Sequence, residues 1–575
     1  MRPAHAYLPE ALERGRAWGF GLNLYALRSH RNWGIGDFTD LREFVRFSAR
    51  RGADIVGVNP LHALHYVEPE AASPYSPTSR YFLNPLYIDV EEVPEYGDPS
   101  PKAQALRERI TSEPFAQMLE TLRAAKNVAY ARIARAKFSA LAELYAIFRE
   151  RRGPRRAAFT AYVAQRGERL EQFALHEALT ERFAREDGRL RGWLTWPADY
   201  REPSAEAVRA FATTSRRRID YFKFLQWIAD AQLAGAAEAA HGMTIGLYLD
   251  VAVGVDLNSA DVWSDQSGYI LNETVGAPPD PLGPHGQNWG LPPPRPEHLL
   301  AEGGAAFAEL LGANMAHAGA LRLDHAMALL RLYRIPHGKD AREGSYVAYP
   351  FEELLAIAAA ESVRANCLIV GEDLGTVPDG FRERMAREAI LSYRLLLFER
   401  DETGAFNAPG TYPELALATA TTHDLPTLSG WSLGRDLDTR ARLGLLDENE
   451  TARAHAARRN DVSRLLDALR EHGALDDAGF AALHRTIDAR AGDADAYDLL
   501  TRAAYRYLAD SPARLVLVQL DDATGEFEQV NVPGTFIEYP NWRRKSALDL
   551  DTIANDARIA ALAQDVRSRV KGSPP

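Results

Sequence analysis

Only one cysteine, Cys367, stands among 575 residues, so no internal disulfide can form and a reducing compartment, the cytoplasm, is expected. It lies in the apolar run "NCLIVGEDL", where a thiol packs as a small buried hydrophobe. Long apolar stretches are also missing. None approaches the ~20 residues of a membrane-spanning helix, and the opening "MRPAHAYLPEALERGRAWGF" contains no apolar signal region. Basic residues are outnumbered by acidic ones, 67 to 79, a net charge of −12. That balance argues against nucleic acid or an anionic membrane as a partner and favours a neutral, polar ligand. There is no internal repeat and no low-complexity tract, and the oligomeric state is not legible.

What the chain does contain is a series of strand-length runs rich in Val, Ile, Leu and Gly, separated by helical pattern, the signature of parallel βα units. Eight stand out: "FGLNLYAL" from Phe20, "ADIVGVNP" from Ala53, "TIGLYLDVA" from Thr244, "GALRLDH" from Gly319, "CLIVGEDL" from Cys367, "LSYRLLLFE" from Leu391, "LALATATTHD" from Leu415 and "ARLVLVQLDD" from Ala513. They predict an α/β fold, a (β/α)8 TIM barrel spanning residues 1–575, with large helical insertions between strands. Two stretches of dense helical rhythm, approximately 101–240 and 435–495, are expected to be inserted helical subdomains. The Pro/Gly-rich segment 275–298 excludes a helix interior or a central strand; it predicts a shaped loop on which Gln287 and Trp289 face a ligand.

Barrel enzymes place their chemistry at the C-terminal strand ends, where these apolar runs turn polar. Asp250 closes "TIGLYLD", Asp324 and His325 close "GALRLDH", Glu372 and Asp373 close "LIVGED", and His423 with Asp424 closes "ATATTHD". Singly, each has a structural explanation: an interior ion pair, a helix cap, a satisfied core histidine. Converging on one rim, they point to a reacting site. Two carboxylates flanking a bond are the minimal apparatus for cleaving a glycosidic link. Asp324 is the nucleophile candidate, because Arg322, two residues away and therefore on the same strand face, holds it ionised. Glu372 has no cation beside it in sequence, and a nearby anionic Asp324 raises its pKa toward that of a general acid. Asp424 is placed to bind sugar hydroxyls and strain the ring, with His325 and His423 as neutral hydrogen-bonding partners.

Nine motifs in order, "HRNWGIGDFTDL", "VNPLHAL", "SPYSPTSRYFLNPLYIDVE", "LYLDVAVGVDLNSADVW", "GAPPDPLGPHGQNWGLP", "LRLDHAMALLRLYRIP", "GEDLGTVP", "TTHDLPTLSGW" and "NVPGTFIEYPNWRRK", run across the whole chain. In these the sequence resembles the 4-α-glucanotransferases (amylomaltases, disproportionating enzymes) of glycoside hydrolase family 77, in the α-amylase clan. The resemblance implies transfer of α-1,4-glucan segments between maltooligosaccharides, starch or glycogen, with such glucans as both donor and acceptor. It places the nucleophile at Asp324, the acid/base at Glu372 and the transition-state-stabilising carboxylate at Asp424. It implies sugar contacts at Tyr75, Asp250, Gln287, Trp289, Arg322, His325, His423, Asn531 and Pro533. Two departures fall on the cleft loop: Pro293, Pro294 and Arg295 stand where an aromatic residue is frequent, and "PPDPLGP" lacks the usual phenylalanine.

The implied mechanism is a retaining double displacement, with the two carboxyl groups about 5 to 5.5 Å apart. An α-amylase-like hydrolase would use the same three carboxylates, and a non-catalytic glucan-binding protein would be expected to have lost Asp324 or Glu372. No cofactor is implied. No metal is expected either, since no compact zinc-ligand spacing such as H-E-x-x-H occurs.

Overall fold

The computed structural model describes residues 5–279, 285–488, 494–535 and 537–572. Eight strands form its frame: β1 Ala17–Leu22, β2 Ile55–Val58, β3 Gly246–Val251, β4 Ala320–Leu323, β5 Leu368–Gly371, β6 Leu391–Leu395, β7 Ala416–Thr419 and β8 Leu515–Gln519. Each pairs in parallel with its sequence neighbours, and β8 closes on β1, giving a closed barrel. All eight apolar runs singled out in the sequence become these strands. β1 starts earlier than Phe20, because Ala17, Trp18 and Gly19 already pair with Leu515, Val516 and Leu517 of β8. Gly19 permits the close approach to β2: a Cβ there would lie 1.8 Å from the Ile55 carbonyl oxygen.

Alternation along the strands sorts side chains into two cores. Tyr248, Ala320, Leu368, Val370, Tyr393, Leu417 and Leu515 fill one buried cluster inside the barrel; Leu249, Leu321, Ile369, Ala418 and Val516 join the other, beneath the helices. Two positions beyond Tyr248, Ala320 and Val370 come Asp250, Arg322 and Glu372, so period-two geometry sets all three above the inner core. The register puts Asp250 beside Arg322 and Leu323 beside Gly371, which brings Asp324 and Glu372 to neighbouring strand ends.

Between β2 and β3 lie the helices Pro101–Ile110, Glu113–Ala124, Tyr130–Glu150, Pro154–Glu186, Glu206–Thr214 and Arg216–Glu238. Between β7 and β8 lie Leu428–Leu433, Arg435–Arg442, Glu448–Glu471, Asp477–Asp488 and Ala494–Ala509; positions 489–493 of the second expected insertion fall outside the described residues. The segment 275–298 differs from the expected loop. Gln287–Leu291 is an edge strand paired with Glu273–Ala277, in a four-stranded antiparallel sheet with Arg331–Pro336 and Ser345–Ala348. Gly and Pro exclude a central strand but not an edge. The departing residues anchor this loop: the Pro293 carbonyl accepts from Ile270 N–H (2.9 Å), Pro294 O from the Tyr349 hydroxyl (2.6 Å), and Arg295 N–H donates to Gly268 O (2.8 Å). Asp280–Pro284, the rest of that departure, lie outside the described residues.

The motif "HRNWGIGDFTDL" is structural. Asp37 caps the helix Phe38–Arg50 in a capping box with Asp40, and Arg31 binds Asp37 (2.6 Å) and Asp40 (3.0 Å). Such a cap satisfies N–H groups that the first helical turn leaves unpaired.

At the end of β5, adjacent acids part company. Asp373 is fully buried, turned toward β6, where it accepts from Ser392 Oγ (2.5 Å), Tyr393 N–H (2.8 Å) and Arg382 Nε (2.7 Å). Asp373→Ala strands those donors and is expected to destabilise the fold by about 1–3 kcal/mol. A urea midpoint equal to wild type would contradict this role.

Candidate active site

Arg322 is the hub of the rim. Its Nη1 donates to both Asp250 oxygens (2.9 Å each) and to Asp324 Oδ1 (2.8 Å). Its guanidinium lies 5.7 Å from the centre of the Tyr393 ring. Side-chain exposure is 8% for Arg322 and 5% for Asp250 but 17% for Asp324, so only Asp324 of the three opens toward the cleft. Burial works against the Arg322 charge, but Asp250 and the other anions outweigh it and raise its pKa. Burial pushes Asp250 up, against the pull of Arg322.

Glu372 is held from both oxygens by backbone. His325 N–H donates to Oε2 (2.8 Å) and Leu374 N–H to Oε1 (2.7 Å). The first bond depends on an unusual turn: His325 sits in the left-handed region with φ +46°, an uncommon conformation that persists where its surroundings over-determine it. Burial drives the Glu372 carboxyl up to about 7; Arg322 opposes the rise and Asp324 adds to it. The sequence reading missed that opposition, since Arg322 becomes its neighbour only across strands. His325 is pushed down to about 4 by burial, so its ring is neutral, and it meets Trp289 edge-to-face at 5.2 Å. Trp289 Nε1 donates to Gln287 Oε1 (3.2 Å), which links the two loop residues to each other.

Across the rim, Asp424 is half-exposed (49%) and lies 3.3 Å from His423 Nε2. Asn531 Nδ2 donates to its Oδ1 (2.8 Å), and Gln529 Nε2 to its carbonyl (3.2 Å). Partial burial disfavours its charge, yet His423 and Asn531 hold the carboxyl at about 2. Tyr75 joins this side to the first: its hydroxyl donates to Asp250 Oδ2 (2.6 Å) and its ring stacks on His423 at 4.8 Å and 24°. Tyr75, expected as a sugar contact, has one ring face already covered by that imidazole. Pro533 is exposed, two residues beyond Asn531.

Two residues here escaped sequence reasoning. Trp542 packs on both Tyr75 (5.6 Å) and His423 (5.2 Å) from a left-handed backbone, φ +59°. Asp522, in the run "ARLVLVQLDD", bonds to Thr421 and Leu428 at the two ends of the loop that carries His423 and Asp424. The signal was a polar residue at a strand end, which β8 also shows.

A pocket walled largely by apolar residues such as Phe307, Leu310, Leu329 and Leu332 also reaches Asp324 and His325. Glu372 and Asp424 are not among its lining residues, so it meets the rim only on the side of Asp324 and His325. Among the described residues no three His, Cys, Asp or Glu side chains are grouped so as to hold a metal ion, and no helix is long and apolar enough to cross a membrane.

A closed parallel barrel whose strand ends pair a carboxylate bonded to Arg322 with a buried one pushed up to about 7 marks a carbohydrate-active (β/α)8 enzyme. The glycoside hydrolase 77 family model, 4-alpha-glucanotransferase, matches residues 22–549, and the chain belongs to that family. It is 40% identical over 574 residues to the 4-alpha-glucanotransferase of Haemophilus influenzae, covering 97% of this chain and 79% of that protein. It is 37% identical over 580 residues to that of Mycobacterium tuberculosis, covering 98% and 76%. Among solved structures, the amylomaltase from Corynebacterium glutamicum aligns over 98% of this chain and 77% of that one, with a TM-score of 0.84 at 29% identity. The amylomaltase from Streptococcus agalactiae, solved in complex with acarbose, shares the fold at a TM-score of 0.74 and 18% identity, covering 96% of this chain and 99% of that one. The protein is thus a 4-alpha-glucanotransferase, an enzyme that transfers glucan segments.

Proposed function

We propose that the enzyme works by a retaining double displacement in which Asp324 is the nucleophile, Glu372 the acid/base and Asp424 the transition-state stabiliser. The observation that carries this reading is the contrast between neighbours: Asp324 accepts a charged hydrogen bond from Arg322, while Glu372 is buried and pushed up to about 7. One carboxylate lies against a cation, and the other is set to hold a proton.

Asp324 Oδ2, the oxygen Arg322 does not engage, bonds to the anomeric carbon as the glycosidic C–O bond breaks. The Glu372 proton passes to the departing 4-oxygen. In the second step Glu372 takes the proton of an incoming 4-hydroxyl, whose oxygen bonds to the anomeric carbon as the ester to Asp324 breaks. Asp424 binds hydroxyls of the sugar undergoing transfer. Asp250, Arg322, Tyr75, His325, His423, Gln287, Trp289, Asn531 and Pro533 line its path. Donor and acceptor are α-1,4-glucans, from maltooligosaccharides to starch or glycogen, handled in the cytoplasm. The helical blocks before β3 and before β8 are inserted subdomains flanking the cleft.

Transfer conserves the number of reducing ends and hydrolysis raises it. With maltotriose as sole substrate, glucose accompanied by maltopentaose and a growing ladder is expected, at constant reducing ends. If only glucose and maltose form while reducing ends climb, water is the acceptor and α-1,4-glucans are not the acceptor class.

A further inference from the structure

The loop that carries His423 and Asp424 leaves β7 at Ala420 and ends where the helix Leu428–Leu433 begins. Both of its ends are tied to one carboxylate. Asp522, 2% exposed just after β8, accepts from Thr421 Oγ1 (3.0 Å) at the start of the loop and from Leu428 N–H (2.8 Å) at its end. A third bond comes from the Tyr505 hydroxyl (2.8 Å), which itself accepts from Gln519 N–H (3.0 Å) of β8. Thr421, Leu428 and Tyr505 are all buried, so no water replaces a bond that is lost.

A buried carboxylate without a salt-bridge partner is costly, and it persists where its hydrogen bonds fix something that matters. Burial pushes Asp522 up to about 6, against the three donors. Its neighbour Asp521 is paired with Arg544 (2.8 Å), so that cation is already engaged. Between the two clamped ends Leu425 N–H reaches Thr422 O (3.2 Å), the Thr427 hydroxyl donates to Glu526 O (2.6 Å), His423 packs on Tyr75 and Trp542, and Asp424 meets His423, Asn531, Gln529 and Thr422.

We propose that Asp522 is a positioning residue for the transfer reaction, which sets Asp424 and His423 against the sugar by fastening both ends of their loop to the end of β8. This rests on the role given to Asp424 above. The clamp is made by hydrogen bonds rather than by charge. An asparagine can keep the Leu428 bond through its carbonyl while its amide donates to the Thr421 and Tyr505 hydroxyls, which rotate to accept.

The test is a kinetic cycle on maltotriose with D522A, D522N, D424N and D522A/D424N, each checked for its melting midpoint. Asp522→Ala is expected to lower kcat about 10²-fold, the cost of misplacing a catalytic group by an ångström, with KM little changed. Asp522→Asn should recover most of that loss. The double variant should be no slower than D424N, because the two act as a unit. Losses that multiply, or an Asp522→Ala enzyme with wild-type kcat, would overturn the clamp. A fully active D424N would instead remove the role of Asp424, and the clamp with it. If D522A does not fold, Thr421→Val cuts only the leading bond; it should cost about tenfold in kcat, a fraction of the full misplacement, and vanish in the D424N background, whereas an additive loss refutes the proposal.

Discussion

Asp324→Asn is expected to lower kcat by about 10⁴-fold or more while leaving a folded protein, the scale on which removing a covalent nucleophile acts. The fold should survive because Arg322 keeps its two bonds to Asp250 at 2.9 Å, and the Asn carbonyl can still accept the third. What disappears is the anionic oxygen that bonds to the anomeric carbon. A sharper version uses Asp324→Ala with an α-glucosyl fluoride donor and azide: azide enters the vacated space, the C–F bond breaks, and the product is the β-glucosyl azide. Formation of that inverted product identifies Asp324 as the attacking group. Turnover within tenfold of wild type in Asp324→Asn would refute the double displacement.

Glu372→Gln is expected to cost about 10²–10⁴-fold with maltotriose, the usual worth of general acid catalysis, and far less with a fluoride donor, whose leaving group needs no proton. The pH profile should carry the same signature. With its carboxyl pushed up to about 7, Glu372 is protonated below that value and loses its proton above it, so glycosyl transfer from maltotriose falls as pH rises through about 7. Asp424, held at about 2, stays ionised across this window and adds no transition there. The glutamine variant should lack the alkaline limb. A wild-type profile flat from pH 6 to 9, or a limb that persists in Glu372→Gln, would assign the proton to another group.

The two experiments divide the labour between neighbours that a sequence cannot separate. Glu372 and Asp373 are adjacent acids at one strand end, and composition treats them alike. In the fold, one faces the cleft through the turn at His325, and the other is consumed by Ser392, Tyr393 and Arg382. Likewise the segment before β4 read as a shaped Pro/Gly-rich loop, but its edge strand arises from pairing with Glu273–Ala277, and Pro293 and Pro294 are anchored by Ile270 and Tyr349.

By itself the sequence determined the barrel, because a buried parallel strand must be a continuous apolar run and eight such runs are visible without any partner. It also determined which residues stand on the rim, since period-two alternation carries Asp250, Arg322 and Glu372 into the lumen whatever surrounds them. Only the tertiary structure decided how those groups are charged and held. Tyr75 stacks on His423 against Trp542, Arg322 stands between Asp250, Asp324 and Glu372, and Asp522 fastens the loop of Asp424. Apart from the Arg322–Asp324 bond within one strand end, each is a contact between distant segments. A local pattern records burial and alternation, but electrostatics and hydrogen bonding depend on which strangers the closing of the barrel makes neighbours.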